Sequence, residues 1–209
     1  MIFLTGSSGP MSRTVADRIG ILCTPVTSYR PQRPLYRCWA ADNGQYAPPG
    51  EKPKTTVEQW WSWLQKQDPD GARFASAPDV VADWDATWER SAPWLERIRA
   101  LGFPAALVAQ DGCTPPQIFA TADEWDVLFI GGSTAWKLSH IVVDLIAAAH
   151  DLGRPVHAGR VNSYRRIAHF AAIGADTADG NFLGRAPDIN VPRMLAWLDK
   201  LEHSPALPL

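Results

Sequence analysis

The chain has 209 residues, 46% of them hydrophobic, with ten tryptophans: enough to bury the core of one domain, while two full domains would be cramped. A formal net charge of −2 and a pI near 6.2 exclude a protein held on nucleic acid by a global positive field, while leaving room for a local basic groove. No C-x-x-C pair links Cys23, Cys38 and Cys113, so neither a zinc ribbon nor a disulfide framework is supported; reduced thiols in a cytoplasmic protein are expected, with no metal, no cofactor, no membrane span and no secretory leader.

In chain order, short apolar runs that end in Gly, Pro, Asp or Asn predict buried strands at Ile2–Thr5, Ile19–Thr24, Arg73–Ala77, Ala105–Ala109, Val127–Ile130, Pro155–Ala158 and Ala175–Ala178. The Pro-, Arg- and Gly-rich stretch Tyr29–Pro53 reads as a long active-site loop around one short strand near Tyr36–Ala40. Helical patterns lie at Trp84–Leu101, with Trp84, Trp88, Leu95 and Ile98 on one face, and at Ser139–Asp151, Tyr164–Ile173 and Val191–Leu201. Gly102 and Gly174 stand where helix C-caps want a left-handed residue, and His203–Leu209 reads as a loose tail.

Strand–helix alternation is the mark of a parallel α/β protein. The set predicts a minimal (β/α)8 TIM-type barrel, one domain over residues 1–209, with one strand weak or irregular. An open doubly wound sheet is the competitor, but Gly6-Ser7-Ser8-Gly9-Pro10 lacks the dinucleotide spacing and carries a proline in the turn.

In such folds ligands lie beyond the carboxyl ends of the strands. Those ends carry Asp42-Asn43-Gly44-Gln45, Pro78-Asp79, Gln110-Asp111-Gly112, Gly131-Gly132-Ser133-Thr134, Arg160-Val161-Asn162 and Asp179-Gly180-Asn181. Aspartate is a common turn residue and N-cap, so each alone is more often structural than catalytic; the recurrence on one rim points to chemistry. Three readings fit Gly131–Thr134: a phosphate cradle, a surface bare enough for a flat base, or an ordinary turn capped by Ser133 or Thr134. Asp176 and Asp179 compete within one segment. Asp179 is preferred because Gly180 and Asn181 follow it, which suits an exposed turn.

From about Ile19 to Arg185 the order of these motifs resembles the tRNA-guanine transglycosylase superfamily, and more closely the phage deazapurine (preQ0-type) DNA transglycosylases. Trp39-Ala40-Ala41-Asp42-Asn43-Gly44-Gln45-Tyr46 is similar to that family's Thr-Asp-Ser-Gly-Gly-Phe-Gln segment, Gln110-Asp111-Gly112 to its Gln-Gly-Gly, and Gly131-Gly132 to the pair against the base. The family's zinc cluster is absent, which the resemblance reads as a pared-down enzyme.

The resemblance implies exchange of guanine for a free 7-deazaguanine base in DNA, or RNA, through a covalent glycosyl-enzyme. Asp179 would be the nucleophile and Asp42 the proton donor and acceptor. Asp79 and Gln110 would read the purine edge, with Asp111, Gly131, Gly132, Ser133 and Asn162 around the substrate and Arg160 and Arg185 on the backbone. Tyr29, Arg30, Arg33, Arg37, Arg165 and Arg166 are further candidates for phosphate contact, although most such charges are solvated surface. Trp60, Trp61 and Trp63 favour core or homodimer packing over a base-stacking platform. His157 reads as a satisfied core histidine or a phosphate or proton-transfer contact, and His140, His150 and His169 lack metal-ligand spacing. The alternatives are a base-releasing N-glycoside hydrolase, a catalytically inactive nucleic-acid-binding barrel, and a sugar-phosphate isomerase using Gly131–Thr134.

Overall fold

The structure is a computed structural model and describes residues 1–6, 17–27, 35–47 and 51–203. Ser7–Pro10, Tyr29, Arg30, Arg33 and the tail after His203 lie outside the described residues.

Eight parallel strands close into a barrel: β1 (Ile2–Thr5), β2 (Gly20–Cys23), β3 (Trp39–Ala41), β4 (Ala72–Ser76), β5 (Ala105–Ala109), β6 (Val127–Ile130), β7 (Val156–Ala158) and β8 (Thr177–Gly180). Each pairs with its sequence neighbour, and β8 returns to β1 with Ile2 opposite Thr177 and Thr5 opposite Gly180. No strand is lost. The expected irregularity is a register shift between β3 and β4 at Trp39 and Ala41.

β8 begins two residues later than its sequence suggests, and this separates the two competing aspartates. Asp176 stays at the foot of the barrel, where its Oδ2 accepts the Val156 amide at 2.8 Å and faces His150 Nε2 at 3.4 Å. Asp179 sits inside β8, not in an exposed turn, and shares a face with Thr177 because strand side chains alternate.

The helices are α1 (Val57–Leu64), α2 (Trp84–Ala100), α3 (Pro115–Ala120), α4 (Thr134–Lys137), α5 (His140–Asp151), α6 (Tyr164–Ala172) and α7 (Pro187–His203). α2 starts where Asp83 accepts the Ala86 amide at 3.0 Å. It buries Trp84, Thr87, Ser91, Leu95 and Ile98, one stripe at helical spacing, and stops at Gly102, whose φ of +88° only glycine adopts freely. Two apolar layers result. Leu4, Leu22, Phe74, Val108 and Phe129 fill the barrel, while the larger layer packs between strands and helices. Trp60 belongs to the second, fully buried and edge-on to Trp94 at 5.6 Å, with the Arg97 guanidinium 4.1 Å from the Trp94 ring centroid. These tryptophans are packing, not a platform at the strand ends.

Candidate active site

The carboxyl ends of the strands surround a cavity of about 560 Å³, whose lining includes Asp42, Asp79, Gln110, Gly131, Gly132 and Asp179. Asn162, Arg160, Arg166 and Arg185 line it too. Arg37 does not reach it: its amide bonds the Ile19 carbonyl ahead of β2, on the amino-terminal side. Arg165 points to solvent.

One wall is built from the ends of β3, β4 and β5. Asp42 follows β3, and its carboxylate accepts the Ser76 hydroxyl at 3.0 Å and the Gly44 amide at 3.1 Å. Burial, with the charges of Asp179 and Asp79 adding to it, pushes the Asp42 carboxyl up to about 7. Asn43 turns inward and donates Nδ2 to the Ala77 carbonyl at 2.7 Å and to Asp79 Oδ1 at 2.8 Å. Gln110 donates Nε2 to Asp79 Oδ2 and accepts the Ala82 and Gly132 amides on Oε1 at 2.9 and 2.7 Å. Asp79 is thus gripped by two side-chain amides. Burial raises its pKa, and those two hydrogen bonds offset only part of the rise.

Gly131 and Gly132 are required by crowding. A Cβ on Gly131 would lie 2.8 Å from Gln110 Nε2, and one on Gly132, at φ +72°, would lie 2.4 Å from the Trp136 ring. Asp111 and Ser133 are placed differently from the expectation. Asp111 accepts the Ser133 amide and the Ser133 hydroxyl, both at 2.6 Å, and neither residue is part of the cavity lining. The Gly132 and Ser133 amides are therefore both occupied by side chains of the same protein. Of the three readings of this turn, the phosphate cradle loses its donors and Ser133 is the N-cap of α4.

The facing wall is β7 and β8. Asp179 has 14% of its side chain exposed, and its Oδ1 receives the Arg160 amide and His157 Nε2, each at 3.1 Å. Among the described residues Oδ2 takes no hydrogen bond. Arg160 holds a left-handed φ of +58°, bonds the Gly132 carbonyl through Nη2 and lies 4.3 Å over the Tyr46 ring. The residue expected on a nucleic-acid backbone is therefore a tie between the ends of β6, β7 and β3. Arg166 and Arg185 carry no such tie among the described residues and give this side its positive charge.

Four contributors were not singled out in the sequence. Asn43, Tyr46 and Thr177 are visible there only as polar neighbours of Asp42 and Asp179. Lys137 sits behind the wall, 4% exposed, and donates to the Gly159 carbonyl at 2.5 Å. Burial, reinforced by Arg160, drives its pKa down to about 7. No group of three or more His, Cys, Asp or Glu able to hold a metal occurs among the described residues, and no described helix is long and apolar enough to cross a membrane.

Fold and site together define a (β/α)8 barrel with a carboxylate-lined mouth. No family profile and no curated protein sequence matches the chain. Among solved structures it is similar to the Amycolatopsis orientalis BexX/CysO complex, at TM-score 0.57 and 17% identity over 99% of this chain and 93% of that one. It is also similar to 3-hexulose-6-phosphate synthase from Salmonella typhimurium, at 0.54 and 13% over 98% and 100%. A third is tryptophan synthase from M. tuberculosis, at 0.51 and 12% over 99% and 93%. These likenesses establish the barrel fold.

Proposed function

We propose that the protein is a transglycosylase that exchanges guanine in DNA for a free 7-deazaguanine base. The observation that carries this reading is the pairing of two differently prepared carboxylates across one cavity: Asp42, raised to about 7, and Asp179, with Oδ1 held and Oδ2 unbonded among the described residues. Between them Asp79 and Gln110 present a carboxylate and an amide to a planar ligand, and Gly131 and Gly132 line the cavity beside them. Asp79 accepts from the ring N–H and exocyclic amino group of guanine or a deazaguanine, and the second Nε2 hydrogen of Gln110 donates to the ring carbonyl.

In this reading Asp179 Oδ2 bonds to C1′ as the C1′–N9 bond breaks, with its electron pair leaving on guanine. Asp42, protonated near neutrality, gives its proton to the departing guanine and becomes a carboxylate. It then takes the N9 proton of the incoming base, whose N9 displaces Asp179 from C1′ and restores both groups. The target base must leave the helix stack, at about a few kcal/mol. Arg166 and Arg185 stand on the Asp179 side, where the flanking phosphates would run.

The test follows release of guanine from guanine-labelled DNA, and separately RNA, with and without a 7-deazaguanine base. Release that needs the added base and vanishes in Asp179→Asn is the expected result. Release without it would make the protein a base-releasing hydrolase. No release from either polymer by folded protein would refute the assignment.

A further inference from the structure

Beneath Asp179 lies a buried polar pair that the exchange chemistry above does not use. His157 is the middle residue of β7, fully buried, and its ring sits among apolar neighbours: 4.8 Å from Phe74 and 4.5 Å from Phe129, centroid to centroid. Core imidazoles in such surroundings need partners for both nitrogens, because an unpaired buried polar atom is destabilising. His157 has both. Nδ1 lies 2.8 Å from the Thr177 hydroxyl and Nε2 lies 3.1 Å from Asp179 Oδ1.

The register explains the geometry. His157 pairs with Thr177 across β7 and β8, and Asp179 is two residues further along the same face, so one imidazole spans both. The partners also fix the tautomer. A carboxylate only accepts, so Nε2 carries a hydrogen; in the neutral ring Nδ1 then accepts, and the Thr177 hydroxyl donates to it. Direction runs one way, from Thr177 through His157 to Asp179. The second donor to Oδ1 is the Arg160 amide, presented by a residue at φ +58° next to Gly159, where a Cβ would fall 2.5 Å from the Phe129 ring.

We propose that His157, oriented by Thr177, is the positioning residue for Asp179: it pins Oδ1, turns Oδ2 to the cavity and so selects the oxygen that attacks. This rests on Asp179 being the nucleophile. The Nε2–H of His157 stabilises the carboxylate when it is regenerated, without itself touching the substrate. The pair belongs to β7 and β8 of this chain and needs no residue from the loops around the mouth.

Two measurements test it. Nitrogen-15 NMR of the histidine side chains, with His157 assigned by its loss in His157→Gln, should show a neutral Nε2–H tautomer whose shifts move in Asp179→Asn and in Thr177→Val. An Nδ1–H tautomer, or shifts indifferent to both substitutions, overturns the proposal even if the protein exchanges no base. In the exchange assay, His157→Leu should lower kcat by about 10- to 100-fold with KM for either substrate unchanged, the loss expected for one hydrogen bond to a charged group. His157→Gln, which keeps an N–H near the Nε2 position, should recover most of it, and Thr177→Val should fall between. Equal loss in His157→Leu and His157→Gln, both shown folded by thermal melting, would reduce His157 to packing. Absence of exchange in the wild type would count against the assigned function alone, and the tautomer would still decide the role of His157.

Discussion

Replacing Asp42 by an asparagine removes the one carboxyl of the mouth whose ionisation burial opposes most clearly, and the effect on stability can be worked through. The folded-state pKa is about 7 against a reference of 3.8. Between those values the native state holds a proton that the unfolded chain has released, so stability falls as pH rises through the window and the loss is complete above pH 7. Integrating from pH 5 to 8.5 with that pair of values gives a ceiling of about 3 kcal/mol. Asp42 faces a cavity open to solvent, so about 1–3 kcal/mol is expected. The substituted amide cannot ionise, and with its oxygen turned to the Gly44 amide and its NH2 to the Ser76 hydroxyl it keeps both contacts, as the protonated acid does. Asp42→Asn should therefore match wild type closely at pH 5 and be the more stable protein at pH 8.5, by about 1–3 kcal/mol. Urea titrations at four pH values read this directly. A difference flat to within about 0.5 kcal/mol would refute the raised pKa and, with it, the proton-donor role given to Asp42.

Lys137 titrates in the opposite sense, because its depressed pKa makes the native state hold fewer protons than the unfolded chain between about 7 and 10.5. Wild-type stability should gain about 2–3 kcal/mol from pH 7 to 9.5 relative to Lys137→Met, and parallel curves would contradict the depressed pKa. Gly159→Ala drives a methyl into Phe129 and should destabilise by about 1–3 kcal/mol while reducing exchange further than that loss explains; unchanged activity would show that the Asp179 support is not that tight. At the foot of α2, Arg99 grips Asp126 through Nε and Nη2 at 2.9 Å each, and burial is outweighed so that the carboxyl sits below its ordinary value. That stabilisation is present above the unfolded pKa of 3.8 and is lost as pH falls through the folded one, so Arg99→Gln should flatten the acid limb of the stability curve and cost about 1 kcal/mol at pH 7.

The barrel was legible wherever apolar runs were continuous and abruptly ended. β1, β5 and β6 fall on their predicted residues because Pro104 and Asp126 mark the starts of the latter two and every position within them is buried. β8 starts later than its sequence suggests because polar residues face inward. Its inward residues are Thr177 and Asp179, so the strand that carries the site lacks the hydrophobic run that would reveal it. α3 and α4, with six and four residues, are too short to show a helical period. Within the site, Asp42, Asp79, Gln110 and Asp179 were readable as polar residues at strand ends. What those positions cannot express is the pairing among them: that Gln110 clasps Asp79, that Asp111 turns away onto Ser133, and that His157 is at once a core residue and a partner of Asp179. Each depends on contacts across strands, which no spacing along the chain records.

The bond from Asp111 to Ser133 also bears on what else this barrel could become. Backbone amides opening a helix attract any anion of suitable size, and here the chain supplies its own tenant. With that carboxylate seated, the Ser133 amide is closed to any anion from outside, and the arginines that line the cavity are Arg160, Arg166 and Arg185. Asp111→Gly would vacate the corner, leaving the Ser133 amide to inorganic phosphate. One carboxylate thus keeps the opening of α4 occupied from within the chain.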